Sequence, residues 1–150
     1  MLALSNGLIG LALFGPLIFG APVRAGSAQL IEIFNTSERS ITGVENERLR
    51  SFNITSYSID GVERFESRLS EGLPADLEAA KTEGLLRIQQ LDDACMAPAK
   101  NAAFGLAKAV QLGVDRYPAI VFDGQAVVYG VTDLVDAVAR YEAWREDQSR

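Results

Sequence analysis

Residues 113–141, GVDRYPAIVFDGQAVVYGVTDLVDAVARY, decide the fold that the sequence predicts. The run Ala119–Phe122 is apolar, with β-branched and aromatic residues, which is typical of a strand covered on both faces. Asp123 and Gly124 supply a turn, because glycine tolerates a positive φ and aspartate can bond to its own backbone. Ala126–Tyr129 is a second apolar run, so the stretch predicts a β-hairpin.

A helix is predicted to follow the hairpin. After Gly130 the spacing of apolar residues changes from two to about 3.6, and Thr132 or Asp133 is placed to cap the first turn. Pro118 stands directly before the first strand, where its missing N–H costs least, and Tyr117 is pushed towards extended geometry. The predicted apolar face of the helix consists of Leu134, Val135, Val138 and Tyr141, with Trp144 at its far end.

The order Gly-Val-Asp-Arg-Tyr-Pro-Ala, strand, Asp-Gly, strand, Gly, helix resembles the C-terminal half of thioredoxin-like domains. In those domains the proline is cis and faces the active-site turn, and the resemblance implies that this proline is Pro118. The segment RYPAIVFDGQAVVYGVTDL also resembles a family of small exported proteins encoded in integrating conjugative elements. That resemblance covers most of residues 29–145 and is strongest over 110–141.

The composition indicates one globular domain and excludes several functions. The chain has 150 residues, of which 48% are hydrophobic and 23% charged. A net charge of −6 argues against a nucleic-acid surface, which needs clustered Lys and Arg. Histidine is absent, which removes imidazole base chemistry and most zinc or copper sites. Cys95 is the only cysteine, so neither an intramolecular disulfide nor a CxxC pair can form.

The N-terminal residues have the pattern of a signal peptide. Residues 1–23 contain no charged side chain, and small residues precede a cleavage position after Ala25. We therefore expect a signal helix in residues 1–25, a domain in residues 26–150, and export to the periplasm. Because a basic segment is missing at the start, the alternative is an uncleaved anchor in the inner membrane. Membrane contact is expected only through residues 1–23 in that case.

The rest of the chain predicts an α/β fold with a mixed central sheet and flanking helices. A parallel first pair of strands with an antiparallel hairpin added is the thioredoxin-like layout, and the resemblance supplies this topology. Two adjacent helices before the hairpin form an enlarged helical insertion. In chain order the predicted elements are a strand at 29–34, a polar turn at 35–40, a short helix at 44–49, a strand at 53–59 ended by Asp60-Gly61, helices at 64–69 and from Pro74 to 91, an interhelix loop at 92–98 and a helix at 99–112.

The turn after the first strand is the first candidate site. In glutaredoxin-like proteins this turn leads to two thiols at the start of a helix, and the resemblance puts those positions near Arg39 and Thr42, neither of which contains sulfur. A dithiol mechanism is thus excluded, and the remaining use is a peptide-binding groove. The alternative is that Pro118 only shapes the sheet edge. The residues of this predicted groove are Asn35, Thr36, Ser37, Glu38, Arg39, Tyr117 and Pro118.

Cys95 is the second candidate, as a reactive thiol. In an oxidising compartment an unpaired thiol can form an intermolecular disulfide. A free cysteine also often behaves as a small buried hydrophobe, and the neighbouring Asp92 and Asp93 disfavour a thiolate. We favour the inert, buried interpretation.

No catalytic residue, metal site or cofactor is predicted. The hydroxyls of Thr36, Ser37 and Ser40 have no histidine to activate them. The acidic residues form no recognisable pair of carboxylates with separated pKa values, and the spacing of a calcium loop is missing. Glycine motifs for phosphate are also missing.

The sequence as a whole predicts an exported, non-catalytic accessory protein of an integrating conjugative element. It would support the mating apparatus, a type IV secretion-related assembly, by binding proteins of the cell envelope, and the link to conjugation comes from the resemblance alone. The first alternative is a periplasmic thiol-disulfide oxidoreductase or disulfide chaperone that uses Cys95 with a partner thiol. The second is a structural component anchored in the membrane by residues 1–23.

Overall fold

The fold is a four-stranded sheet with helices on both faces, in a computed structural model that describes residues 30–150. A three-residue 3-10 turn, Glu47–Leu49, lies between the first two strands. The strands are β1 (Leu30–Asn35), β2 (Asn53–Ser58), β3 (Ala119–Phe122) and β4 (Ala126–Tyr129), and the helices are α1 (Gly61–Ser70), α2 (Leu77–Gln89), α3 (Asp93–Leu112) and α4 (Leu134–Gln148).

The sheet is mixed, with the order β2-β1-β3-β4. β1 runs parallel to β2 and antiparallel to β3, and β3 runs antiparallel to β4. The predicted parallel first pair and antiparallel hairpin are confirmed. Asp123, Gly124 and Gln125 connect β3 to β4, and Asp123 has φ 51° and Gly124 φ 66°, positive values of the kind found in type I′ turns.

Alternating residues of β1 and β3 build two cores, one on each face of the sheet. On the first face, Ile31, Ile33, Ile120 and Phe122 pack with residues of α4 such as Leu134. The Tyr141 ring of α4 stacks on Phe122 with 4.3 Å between the ring centroids. On the second face, the apolar residues Phe34, Ala109, Val114, Ala119 and Val121 pack together beneath α3.

The cap of α4 is one of the two predicted residues, whereas the cap of α3 shows that this helix begins earlier than predicted. Asp133 Oδ1 accepts hydrogen bonds from the backbone N–H groups of Val135 and Asp136, which confirms one of the two proposed caps. The predicted loop at 92–98 is wrong, because α3 begins at Asp93. Asp92 Oδ1 accepts a 2.7 Å bond from the Cys95 N–H and starts the helix there.

Pro98 explains why a loop was expected in this region. It lies inside α3, where a proline removes one helical hydrogen bond and crowds the preceding turn. Three further boundaries differ from the prediction: residues 44–49 contain only the 3-10 turn, the helix expected at 64–69 begins at Gly61, and the helix expected from Pro74 begins at Leu77 after a cap at Asp76. The expected signal helix of residues 1–25 lies outside the described residues. Within residues 30–150, none of the helices is both long and apolar enough to cross a membrane.

Two glycines let α3 approach its neighbours closely. A Cβ on Gly61 of α1 would lie 2.6 Å from the Pro98 carbonyl oxygen and 2.9 Å from Ala102 Cβ. A Cβ on Gly105 of α3 would lie 2.4 Å from Tyr57 Cβ on β2. Because the opposing atoms belong to backbone or to the first side-chain carbon, they cannot move aside as a flexible side-chain end would.

We expect Gly105→Ala to lower the free energy of unfolding by about 1–3 kcal/mol, since the overpacking at Tyr57 outweighs the gain in helix propensity. Gly84→Ala in α2 is the matched control: its Cβ would meet no atom within 4 Å, so this change should stabilise the protein by up to about 1 kcal/mol. Urea unfolding followed by circular dichroism measures both. Equal effects of the two changes would contradict the close contact between α3 and β2.

Candidate functional site

The predicted groove begins where β1 ends beside the start of β3. Phe34 pairs with Ala119 in the antiparallel register, so the next position places Asn35 beside Pro118. The Tyr117-Pro118 peptide bond is cis, as the resemblance implies. Pro118 O also accepts a 3.0 Å hydrogen bond from the Gly130 N–H, which holds this segment against the end of β4. The structure therefore brings Asn35, Tyr117 and Pro118 together.

The turn after β1 does not lead into a helix. The Arg39 N–H donates to Thr36 O at 3.2 Å and closes a tight turn. The chain then runs to the start of α4, where the Thr42 N–H donates to Thr132 O at 2.8 Å and the Leu134 N–H donates to Thr42 O at 3.0 Å. Arg39 and Thr42 thus lie outside any helix, and the helix N-terminus that activates a thiol in glutaredoxin-like proteins is missing at this place.

Asp60, which sequence reasoning treated only as the end of a strand, is the centre of the polar contacts near this turn. Its Oδ2 accepts hydrogen bonds from the Ser37 hydroxyl and, at 3.0 Å, from the Ser37 N–H. Its Oδ1 accepts a 3.0 Å bond from the Ser58 hydroxyl. Arg64 Nε lies 3.3 Å from Asp60 Oδ2, and Arg64 Nη2 donates to Ser58 Oγ at 3.0 Å. One carboxylate therefore joins the turn after β1, the end of β2 and the start of α1.

These contacts hold the pKa of Asp60 at about 2, below its ordinary value of 3.8. The main cause is the hydrogen bond from the Ser37 hydroxyl, which stabilises the ionised carboxylate, and Ser58 and Arg64 act in the same direction. The carboxylate lies at one side of an open cleft of about 350 Å³. The cleft is lined by Thr36, Ser37, Glu38, Asp60, Glu63, Arg64 and Ser67.

The seven groove residues thus divide between two neighbouring surfaces. Thr36, Ser37 and Glu38 line the cleft beside α1, and Arg39 is exposed at the end of the same turn. Asn35, Tyr117 and Pro118 belong to the β1–β3 side. Burial raises the pKa of Tyr117, and the nearby Tyr129 hydroxyl acts in the same direction. The Oδ1 atom of Asn35 is buried without a hydrogen-bond partner among the described residues. Within the described residues, the polar groups that line the cleft are hydroxyls, carboxylates and a guanidinium.

Cys95 is exposed, so the prediction that this cysteine is buried is wrong. The reason is the position of the cysteine in α3: the buried residues of this helix begin at Ala102, and Cys95 lies in the first turn, beyond the part that packs on the sheet. Among residues 30–150, groups of three or more His, Cys, Asp or Glu side chains placed to hold a metal ion were not found.

Comparison with known proteins gives a family but no characterised relative. A family model described as a protein of unknown function (DUF1525) matches residues 29–147. Neither the curated proteins nor the solved structures contain a match.

Asp60→Asn should lower the free energy of unfolding at pH 7 by about 1–2 kcal/mol, because it removes hydrogen bonds to an ionised group. The folded-state pKa is depressed, so the contribution of Asp60 is present above about pH 4 and is lost as the pH falls towards 2. Urea unfolding at several pH values measures the difference, which should shrink on acidification.

Asp93→Asn is the control for this experiment. The Asp93 carboxylate is 92% exposed, and its ion-pair partner among residues 30–150 is Lys100 Nζ, at 2.7 Å. The loss of its charge should change the free energy of unfolding by less than about 0.5 kcal/mol. An Asp60→Asn variant as stable at pH 7 as Asp93→Asn would contradict the role given to Asp60.

Proposed function

We propose that this chain, which belongs to the DUF1525 family of proteins of unknown function, is an exported, non-catalytic thioredoxin-like protein. In this proposal it serves an integrating conjugative element as an accessory of the mating apparatus and acts by binding proteins of the cell envelope. One observation carries the proposal: Pro118, directly before β3, stands beside the end of β1, and the turn that follows β1 contains no sulfur.

The arrangement of the sheet supports the thioredoxin-like assignment. Its order is β2-β1-β3-β4 with a parallel first pair and an antiparallel hairpin, and helices pack on both faces. This is the layout that the sequence resemblance implies. The position of the cis-proline directly before β3 agrees with the same resemblance.

The surface supports protein binding over catalysis. Several large apolar side chains are exposed on the helices, and exposed apolar surface is where proteins commonly meet partners. In the turn after β1 the Ser37 hydroxyl donates to Asp60, and the low pKa of that carboxylate, about 2, makes it a weak base. The exposed apolar residues include Leu77, Leu85, Leu86 and Ile88 of α2 and Phe104 and Val110 of α3.

The link to conjugation rests on the resemblance of RYPAIVFDGQAVVYGVTDL to exported proteins of conjugative elements. Export rests on the signal-peptide pattern of residues 1–25, and the alternative remains an anchor in the inner membrane. The second candidate function is a thiol-disulfide oxidoreductase or disulfide chaperone. The exposure of Cys95 favours this candidate, since an accessible thiol can react with the thiol of a partner.

Reduction of insulin by dithiothreitol separates the two candidates. The wild-type protein should not accelerate the reaction, and Cys95→Ser should give the same rate, because a single cysteine cannot cycle as a dithiol. Serine is the matched control since it retains the size of the side chain. Acceleration by the wild-type protein that Cys95→Ser abolishes would establish the oxidoreductase and overturn the non-catalytic proposal.

A photocrosslinking amino acid at Arg39, in donor cells that carry the element, should capture envelope proteins of the mating apparatus. The control is Arg50, which is also exposed but lies before β2 and hence at the opposite end of the sheet. Deletion of the gene should lower the frequency of conjugation. An unchanged frequency, or the same adducts from both positions, would contradict the proposed accessory role at this groove.

A further inference from the structure

The two outer edges of the sheet differ in how their backbone groups are satisfied. At β2, Asn101 of α3 reaches across the edge: its Oδ1 accepts a 3.0 Å bond from the Ser58 N–H, and its Nδ2 donates to Ser56 O at 3.0 Å. The amide side chain thus occupies backbone positions to which an added strand would bond. Proteins protect exposed strand edges in such ways because an open edge pairs readily with another chain.

The edge at β4 has no such cover among the described residues. The Gly130 N–H donates to Pro118 O, and hydrogen-bonded positions alternate along an antiparallel pair. Val128 and Ala126 therefore bond to β3, and the backbone N–H and C=O groups of Val127 and Tyr129 point away from the sheet. Hydrogen bonds to these outward groups are not formed by any other part of residues 30–150. The strand itself, AVVY, contains neither a charge nor a proline.

An apolar cleft lies directly beside this open edge. It has a volume of about 380 Å³ and is formed by β4 and the C-terminal half of α4. Trp144 is 48% exposed in it and stacks on Tyr141, with 5.9 Å between the ring centroids. Because Tyr141 is in turn stacked on the buried Phe122, the aromatic wall of the cleft is held firmly. The lining residues are Ala126, Val127, Val128, Arg140, Tyr141 and Trp144.

The size of this surface indicates which occupant it fits. A strand of four residues is about 14 Å long, and strand pairing over that length buries far less than the roughly 1,200 Å² of a specific dimer. A short extended segment needs no larger surface, because main-chain hydrogen bonds and one pocket can hold it. The cations near the edge are each paired with an aspartate: Arg140 beside the cleft with Asp136, and Arg116, 5.0 Å from the Tyr129 ring, with Asp115. An uncharged segment therefore suits this edge.

We propose that the outer edge of β4 binds an extended segment of a partner protein as a fifth strand, with one apolar side chain of that segment in the cleft at Trp144. This surface is separate from the turn after β1, and the proposal holds whether or not the protein serves conjugation. In this arrangement the backbone hydrogen bonds at Val127 and Tyr129 supply the affinity, and the cleft supplies the selectivity.

Fluorescein-labelled heptapeptides T-V-T-X-T-V-T, with X as Leu, Trp or Asp, test the proposal by fluorescence anisotropy with the full chain. The peptides with Leu or Trp should bind at least about tenfold more tightly than the peptide with Asp. Two further versions carry N-methyl groups on alternate amides. Only one of the two should bind, because only one edge of the peptide faces β4. Equal binding of the Leu and Asp peptides, or no binding at millimolar concentration, would overturn the proposal.

Variants of β4 separate backbone pairing from side-chain contact. Val127→Pro removes the outward N–H and should weaken binding about tenfold or more, whereas Val127→Thr keeps that N–H and the shape of valine and should bind within about twofold of wild type. Trp144→Ala should reduce the Leu and Trp peptides to the affinity of the Asp peptide. Circular dichroism confirms that each variant is folded. Unchanged binding by a folded Val127→Pro variant would exclude strand addition.

Amide hydrogen exchange measured by NMR needs no variant. The amides of Val127 and Tyr129 should exchange rapidly in the free full chain and become protected when the Leu peptide is added. Slow exchange before addition would show that another part of the chain already covers the edge. Protection that instead rises with protein concentration alone, together with dimers in sedimentation, would show that the occupant is a second copy. Either of these results would overturn the proposal.

Discussion

The antiparallel pairing of β1 with β3 is the constraint on which the rest of the structure depends. It joins the first strand of the domain to a hairpin almost ninety positions later in the chain, and its register, Ile31 with Phe122 through Phe34 with Ala119, assigns every side chain to a face. Each fully buried aliphatic or aromatic side chain contributes about 1.5–3 kcal/mol. A slip of one residue would exchange the two cores, so the same register that stabilises the protein also sets Asn35 beside Pro118.

A buried charge in the middle of this pairing shows how strictly the second face is fixed. Glu32 lies on β1 with its side chain 5% exposed, and Lys108 Nζ of α3 approaches Glu32 Oε1 to 3.4 Å. A carboxylate in such a place is tolerated only with a partner, because desolvation of an unpaired charge costs several kcal/mol. The pair gives little net stability, but it disfavours positions of α3 that separate the two groups. We infer that it helps to fix α3 over β1 and so positions Asn101 at the edge of β2.

Local sequence patterns were enough to predict most helices and strands. They could not predict contacts between residues that lie far apart in the chain. The hairpin, α4 and its Asp133 cap follow from apolar spacing and turn residues, and the sheet order and cis-proline agree with the resemblance. The start of α3 was missed because Pro98 suggested a break and Asp92 was not recognised as a cap. Asp60 and Asn101 were missed for another reason: Ser37 and Asp60 are 23 residues apart, and Ser58 and Asn101 are 43 apart, so only the folded chain brings them together.

The turn after β1 is held at both ends, and this affects what it can do. At one end Ser37 is bonded to Asp60, and at the other Thr42 is bonded to Thr132 and Leu134 at the start of α4. In a thiol enzyme the corresponding segment would enter a helix whose N-terminus stabilises a thiolate. Here the backbone groups of that segment are used to join the turn to α4. A turn fixed in this way loses little conformational entropy when a partner binds. The geometry that leaves no helix N-terminus at this place therefore also fixes the turn, which agrees with the proposed role in binding a partner.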